Sequence, residues 1–378
     1  VRGIFLPVKN KMERQMQAKP NQWPRALTAS VLVVALALAI ITALPPAMLN
    51  SWVSLYLVAM VPAQIVITLF WRMARPAFAQ HWSQIQLGLG YTALTVLAGM
   101  VVANVSLALI EQGLGVPTPF VIMYLIFSVP VTVLLVVVFQ GWPIVSLVHN
   151  KALQGLLLWL AAYLLAGLLY YSLFDFSFAA GAPFYRASVA AHGIFPAWPV
   201  LTASLAMLLS VLVLVLFDFW PVQQLAARLA VTAQPWSSLL TLSVVVSMAA
   251  VLALTGLGAL EFTLLQFMVR VCVSGIFGVF IILVMWKGCP ALQLPQPLRG
   301  LVLSGLVCVL GCAMHALYLQ MASRMPGLAS PDDVELWIAA GMLSVTFPGM
   351  VFFADYFDCW PLPFRRPSDT RNAKVNAL

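Results

Sequence analysis

Residues 120–143 read FVIMYLIFSVPVTVLLVVVFQGWP. The first twenty carry no charge, which is about the length of α-helix needed to cross the hydrocarbon core of a bilayer. The run then stops at Phe139-Gln-Gly-Trp142-Pro143. Tryptophan favours the headgroup level and proline ends a helix, so this one stretch describes a membrane span and its exit.

The pattern recurs outward from there. Apolar runs of spanning length are expected at Ala26–Leu44, Trp52–Trp71, Leu87–Ile110, Phe120–Phe139, Ala152–Phe174, Trp198–Phe217, Ser237–Leu260, Thr263–Trp286, Leu301–Ala322 and Leu336–Phe357. None has the period-two alternation of a membrane barrel strand. Composition agrees: of 378 residues, 63% are apolar and 8% charged, with a mean hydropathy of +1.00. A soluble domain has about 25% charged residues. Soluble enzymes, secreted domains and disordered tails are therefore excluded, and an all-α polytopic transmembrane bundle is expected. Its parts are a basic N-terminal tail (1–25), one ten-helix membrane domain (26–357) and a C-terminal tail (358–378).

Charge sets the expected orientation. With the N-terminus inside, 16 of the 19 Lys and Arg residues lie on the inner side; Arg186 and Arg324 fall outside and Arg270 within a span. Glu111, Asp175, Glu261, Asp332, Asp333 and Glu335 fall outside. This positive-inside bias places both termini in the cytoplasm. The net charge of +8 is spent on topology, so no nucleic-acid partner is expected. The chain opens on Val1, as a GTG codon read literally would give, with Met12 as an alternative start; we read a bacterial inner-membrane protein with no cleavable signal peptide. Five cysteines, Cys272, Cys289, Cys308, Cys312 and Cys359, lie in apolar runs or at helix ends and imply no disulfide framework.

Four even-numbered helices end in aromatic-x-x-Trp/Cys-Pro: Phe139 to Pro143, Phe217 to Pro221, Trp286 to Pro290 and Phe357 to Pro361. The second ends in the degenerate Trp71-Arg-Met-Ala-Arg-Pro76. The prolines are 67, 78, 69 and 71 residues apart. Odd helices begin with Trp23, Trp82 and Trp236, and Pro62, Pro130 and Pro348 stand in mid-helix. Five in–out–in hairpins of one orientation are expected, as in parallel-repeat carriers. The exits read either as headgroup anchors with helix stops or as docking and gating elements.

Ionisable groups inside a membrane are costly and mark function by default. Arg270, Glu261, Gln266, His315 and Asn104 all fall in the outer half of the bilayer and form the expected substrate-binding set. An Arg270–Glu261 clamp is the structural alternative. Cys308, Cys312 and His315 share a helix face and offer soft metal ligands, with Cys272 nearest to complete them, but small cysteines commonly fill space between packed helices and no metal is expected; the frequent methionines form no Met-x-x-Met array. Asp218, Asp355 and Asp358 lie at inner helix ends, where they serve a proton-coupled carrier or pair with Arg228, Arg365 or Arg366. Ser330-Pro-Asp-Asp-Val-Glu335 has the order of a helix cap. The loop 175–195, with its aromatics, Arg186 and His192, reads as an interfacial helix or a flap over the outer mouth.

No Walker motif, HExxH or Gly-x-Ser-x-Gly is present. No pair of transmembrane histidines shares one depth as a haem requires. No cofactor is expected, and the tails are too short to fold alone. The partners expected are the bilayer, a small solute, and a membrane protein or a second copy. The leading reading is a small-solute permease. An accessory subunit comes next. Third is a membrane-embedded enzyme acting on a lipid through Arg186, His192, Glu261, Arg270 and His315.

Overall fold

The computed structural model describes residues 23–76, 79–113, 115–287 and 294–362. Residues 1–22 and 363–378 of the two tails therefore lie outside the described residues, as do Cys289 and Pro290. Among the described residues ten helices are long and apolar enough to cross a membrane: α1 (Arg25–Ala43), α2 (Pro46–Phe70), α3 (Gln84–Ile110), α4 (Pro119–Val138), α5 (Lys151–Leu173), α6 (Ala197–Leu216), α7 (Trp236–Ala259), α8 (Leu264–Met285), α9 (Leu298–Ala322) and α10 (Pro331–Tyr356). Most bounds agree with expectation within about two residues. The starts of α2 and α10 come earlier, because Asn50 and the Asp332–Asp333 pair interrupt the apolar pattern while the backbone is already helical behind Pro46 and Pro331.

Burial divides the ten into two layers. The even helices are 56–67% buried over their most apolar stretch, the odd ones 17–44%. The even helices close a ring, with contacts between α2 and α4, α4 and α6, α6 and α8, α8 and α10, and α10 and α2. Each odd helix lies outside this ring against two or three of its members: α1 on α10 and α8, α3 on α2, α10 and α4, α5 on α4 and α2, α7 on α6, α4 and α8, α9 on α8, α10 and α6. An odd helix can keep an apolar face toward lipid, because lipid is as apolar as the core. Exposed Leu164 and Leu168 on α5 and Leu254 on α7 are examples.

The even helices end alike. Four finish in a wide π-turn: the N–H groups of Trp71, Phe139, Trp286 and Phe357 donate to the carbonyls of Val66, Leu134, Ile281 and Phe352 at 2.8–3.0 Å. In α6 the corresponding N–H, of Phe217, reaches one residue less, to Val213 at 3.2 Å. Left-handed backbone follows at Arg72-Met73, Gln140-Gly141, Asp218-Phe219, Lys287 and Asp358-Cys359. Non-glycine residues adopt it at a cost of about 1–2 kcal/mol each, so tertiary contacts must hold these turns.

Those contacts join each exit to the start of the odd helix three positions on. The Trp71 indole donates to the Lys151 carbonyl at 2.9 Å, tying α2 to α5. The Ser238 hydroxyl donates to the Val138 carbonyl at 2.7 Å, tying α7 to α4. Gln296, just ahead of α9, donates to the Leu216 carbonyl of α6 at 3.1 Å. The Trp286 indole meets Ser30 of α1 at 3.0 Å. Gln84 of α3 donates to the Tyr356 carbonyl of α10 at 3.1 Å. Three seams also need a glycine: Trp71, Phe217 and Phe357 lie where a Cβ on Gly155, Gly300 and Gly88 would sit. In four of the seams the side-chain bond reaches a backbone carbonyl, three of them at the end of a ring helix, where intrahelical donors run out.

Candidate functional site

At the opposite end of the bundle, which we call the loop end, helix starts position the polar groups. α8 begins behind Thr263, whose hydroxyl accepts from the Gln266 N–H while the Gln266 side chain accepts from the Thr263 N–H, both at 3.2 Å. Gln266 is thus a capping residue. One turn later the helix widens over Phe267–Val273 and carries Arg270. α10 begins with Ser330 as cap, Pro331 at the first position and Asp333 closing the box. Asp332 faces solvent, whereas Glu335 falls on the buried stripe with Ile338, Ala339 and Met342.

Arg270 and Glu335 meet. The Arg270 Nε donates to Glu335 Oε1 at 2.7 Å and Nη2 lies 2.6 Å from the same oxygen. The Glu335 side chain is 4% exposed and that of Arg270 38%. The partner of Arg270 is therefore Glu335 and not Glu261, which stands exposed in a left-handed turn between α7 and α8. The other Glu335 oxygen, Oε2, is buried without a hydrogen-bond partner among the described residues, and so is His315 Nδ1. His315, on α9, lies close enough to feel both charges. Phe262 lies beside the guanidinium, its ring centre 5.9 Å from Cζ. One turn further along α9, the Tyr318 and Thr346 hydroxyls hydrogen-bond in the core.

The expected set is thus partly assembled. Arg270 and His315 come together around Glu335. Asn104 stands apart: its amide donates to the Met100 carbonyl of its own helix at 2.8 Å, and α3 packs on α2 and α10. The sequence motif shows Glu335 only as part of the α10 cap. Its position on the buried stripe, three and four residues before Ile338 and Ala339, was the available signal. Cys308 and Cys312 are exposed on the outer face of α9, away from the stripe Leu303, Val307, Gly311 and Met314. Among the described residues no three His, Cys, Asp or Glu side chains lie together as metal ligands, so the Cys308–Cys312–His315 site is not formed.

The acids expected at inner helix ends also take other partners. Asp218 binds Arg299 at 3.0 Å and Gln296 at 3.1 Å, in place of Arg228. Asp358 lies 3.6 Å from Lys287; Arg365 and Arg366 are outside the described residues. Asp355 is half-buried just inside the end of α10. Burial pushes the Cys359 thiol up to about 12, so it stays protonated and unreactive at neutral pH.

The 175–195 segment folds as a compact cover and not as a helix. Two short strands, Phe174–Asp175 and Phe195–Pro196, pair in parallel at its base. Phe176, Phe184 and Tyr185 pack edge-on around Phe120, the first ring of α4. The Ser177 hydroxyl donates to Asp175 at 2.6 Å, and His192 lies 3.6 Å from the same oxygen. The Ser177 hydrogen bonds, with a smaller contribution from His192, hold the Asp175 carboxyl below its ordinary value.

The ring axis is the remaining feature. A narrow cavity of about 30 Å³ runs there, lined by all five ring helices. Val61, Val129, Ile276 and Phe347 line it ten residues before the exit aromatics Trp71, Phe139, Trp286 and Phe357. Leu208 lines it nine before Phe217, because α6 lacks the extra residue of a π-turn there. Pro62, Pro130 and Pro348 each follow a lining residue. The wall is wholly apolar, and the volume is about that of one water. Comparison with protein-family models, curated proteins and solved structures finds no match to this chain.

Proposed function

We propose that the chain is a small-solute permease of a bacterial inner membrane, with both termini cytoplasmic. Five in–out–in hairpin repeats put one helix each into a ring, and the solute path is the ring axis, closed by apolar layers. The observation that supports this reading is the axial cavity, lined at matched register from all five even helices. Equivalent positions meeting on one axis are what a parallel repeat produces, and hydrophobic constrictions close water-filled paths by dewetting. Prolines directly beyond Val61, Val129 and Phe347 remove backbone hydrogen bonds there and supply hinges. The 16-to-2 distribution of Lys and Arg supports the orientation.

The test is a leak. In liposomes holding the purified full chain, Val61→Ser and Val129→Ser should raise potassium leak about tenfold by wetting the constriction. Leu164→Ser, on the lipid-facing side at 75% exposure, should leave it unchanged. If the axial variants stay as tight as wild type, the axis is no path. The accessory-subunit reading then takes its place, with α7, only 17% buried, as the helix a membrane partner would cover.

A further inference from the structure

We propose that the loop end between α8, α9 and α10 holds a recognition site for an α-amino acid, a solute with an ammonium and a carboxylate on one carbon. The proposal deepens the permease reading by naming its solute class, and it rests on that reading for the transport role alone.

The argument starts from valences left open. An ionised carboxylate is acceptor-only, with two oxygens to satisfy. Arg270 places both of its N–H contacts on Glu335 Oε1. Oε2 is buried and has no partner among the described residues, in a side chain 4% exposed. His315 Nδ1 is buried and open in the same region. A buried polar atom left unpaired is costly. A primary ammonium has three N–H donors and meets both needs, one for the carboxylate oxygen and one for the imidazole nitrogen.

The guanidinium then decides the rest of the ligand. Arg270 has five N–H donors and is 38% exposed, so its outward edge remains open to an anion. A simple amine would approach that positive charge unshielded, and a simple acid would approach Glu335. A solute with both charges adds no net charge to a low-dielectric zone. Arg270 and Glu335 are in direct contact, so their opposite charges are centred close together. They match opposite charges on one carbon better than charges spaced along a chain. The Phe262 ring beside the guanidinium offers apolar surface to the ligand's side chain.

The experiment is direct binding to the purified full chain in detergent micelles. The radiolabelled probes are glycine, alanine, leucine, serine, glutamate and lysine. At least one should bind saturably. Propionate, ethylamine and 4-aminobutyrate, which carry one charge or separated charges, should compete at least about tenfold more weakly. Glu335→Gln should weaken binding about tenfold or more, the loss expected of one charge-assisted hydrogen bond. His315→Ala should do the same while leaving the Arg270–Glu335 pair intact, and thermal melting checks that both variants are folded. Absence of saturable binding by every probe overturns the proposal. So does equal competition by propionate, or unchanged binding in both variants. Binding needs no transport: binding with a failed leak test would sink the axial path and keep the site, and the reverse result would do the opposite.

Discussion

The two ends of the bundle are built on different principles. At the exit end the same joint is made five times, between a ring helix and the odd helix three positions on. It uses indoles, amides or a hydroxyl, with glycines where rings lie flat against a helix. At the loop end the contacts are single: one buried ion pair between α8 and α10, one folded cover over α4. A joint repeated around a ring holds shape and cannot by itself distinguish one side of the ring from another. Whatever is specific must come from contacts that occur once. That contrast puts the repeated joints at the exits and the folded cover and the Arg270–Glu335 pair at the loops.

The comparison breaks most visibly at a seam glycine. Gly155→Leu drives a side chain into the space of the Trp71 indole. Overpacking of this kind costs about 1–3 kcal/mol or more, so the yield of folded protein and its melting temperature should fall steeply. Gly258, with nothing near its Cβ position, should accept alanine without loss in the same assay. Tolerance of leucine at Gly155 would mean that the exit joints carry no structural burden.

A smaller effect sharpens the picture. Ser238→Ala removes the one side-chain bond to the Val138 carbonyl and should cost about 1 kcal/mol, read as a modest drop in melting temperature. Ser243→Ala, whose hydroxyl donates only within its own helix, should cost less. Equal losses would remove the distinction between the seam and an ordinary helix hydroxyl.

The smallest effect is confined to the cover. The Asp175 carboxyl is held below its ordinary value of 3.8 in the folded protein, chiefly by Ser177. A lowered folded value stabilises the cover above that pH, and the contribution is lost as pH falls below it. Hydrogen exchange of residues 176–191 should therefore quicken below about pH 4 in wild type, while Asp175→Asn should show the faster rate at neutral pH too. The exit seams lie at the other end of the bundle from Asp175. Faster exchange there with Asp175→Asn would join the two ends into one cooperative unit.

Much of this architecture is legible along the chain, because a bilayer admits few solutions. A helix in lipid must satisfy its own backbone and be apolar along about 20 residues, so ten spans can be counted from hydropathy alone. The exits are legible for a related reason: Trp and Pro act locally, at the membrane face and on the helix that carries them. Whether the Cys308–Cys312–His315 face packs against protein is not legible in the sequence, for the opposite reason. Helix periodicity aligns the three residues, but it does not say whether that face meets protein or lipid, and in lipid an apolar face is no guide to burial.

What only the tertiary structure decides is which helix meets which. Nothing in residues 264–285 says that Arg270 will pair with Glu335, 65 positions on, and not with Glu261 in the adjoining turn. The choice depends on α8 and α10 being neighbours in the ring and on Glu335 falling on the buried side of its helix. The same holds for the axial layer, where Val61, Val129, Leu208, Ile276 and Phe347 are ordinary apolar residues until five helices are brought round one axis. Local physics determines each helix and its ends. Long-range packing, in which chain separation carries no energy of its own once the loops are closed, determines the partners.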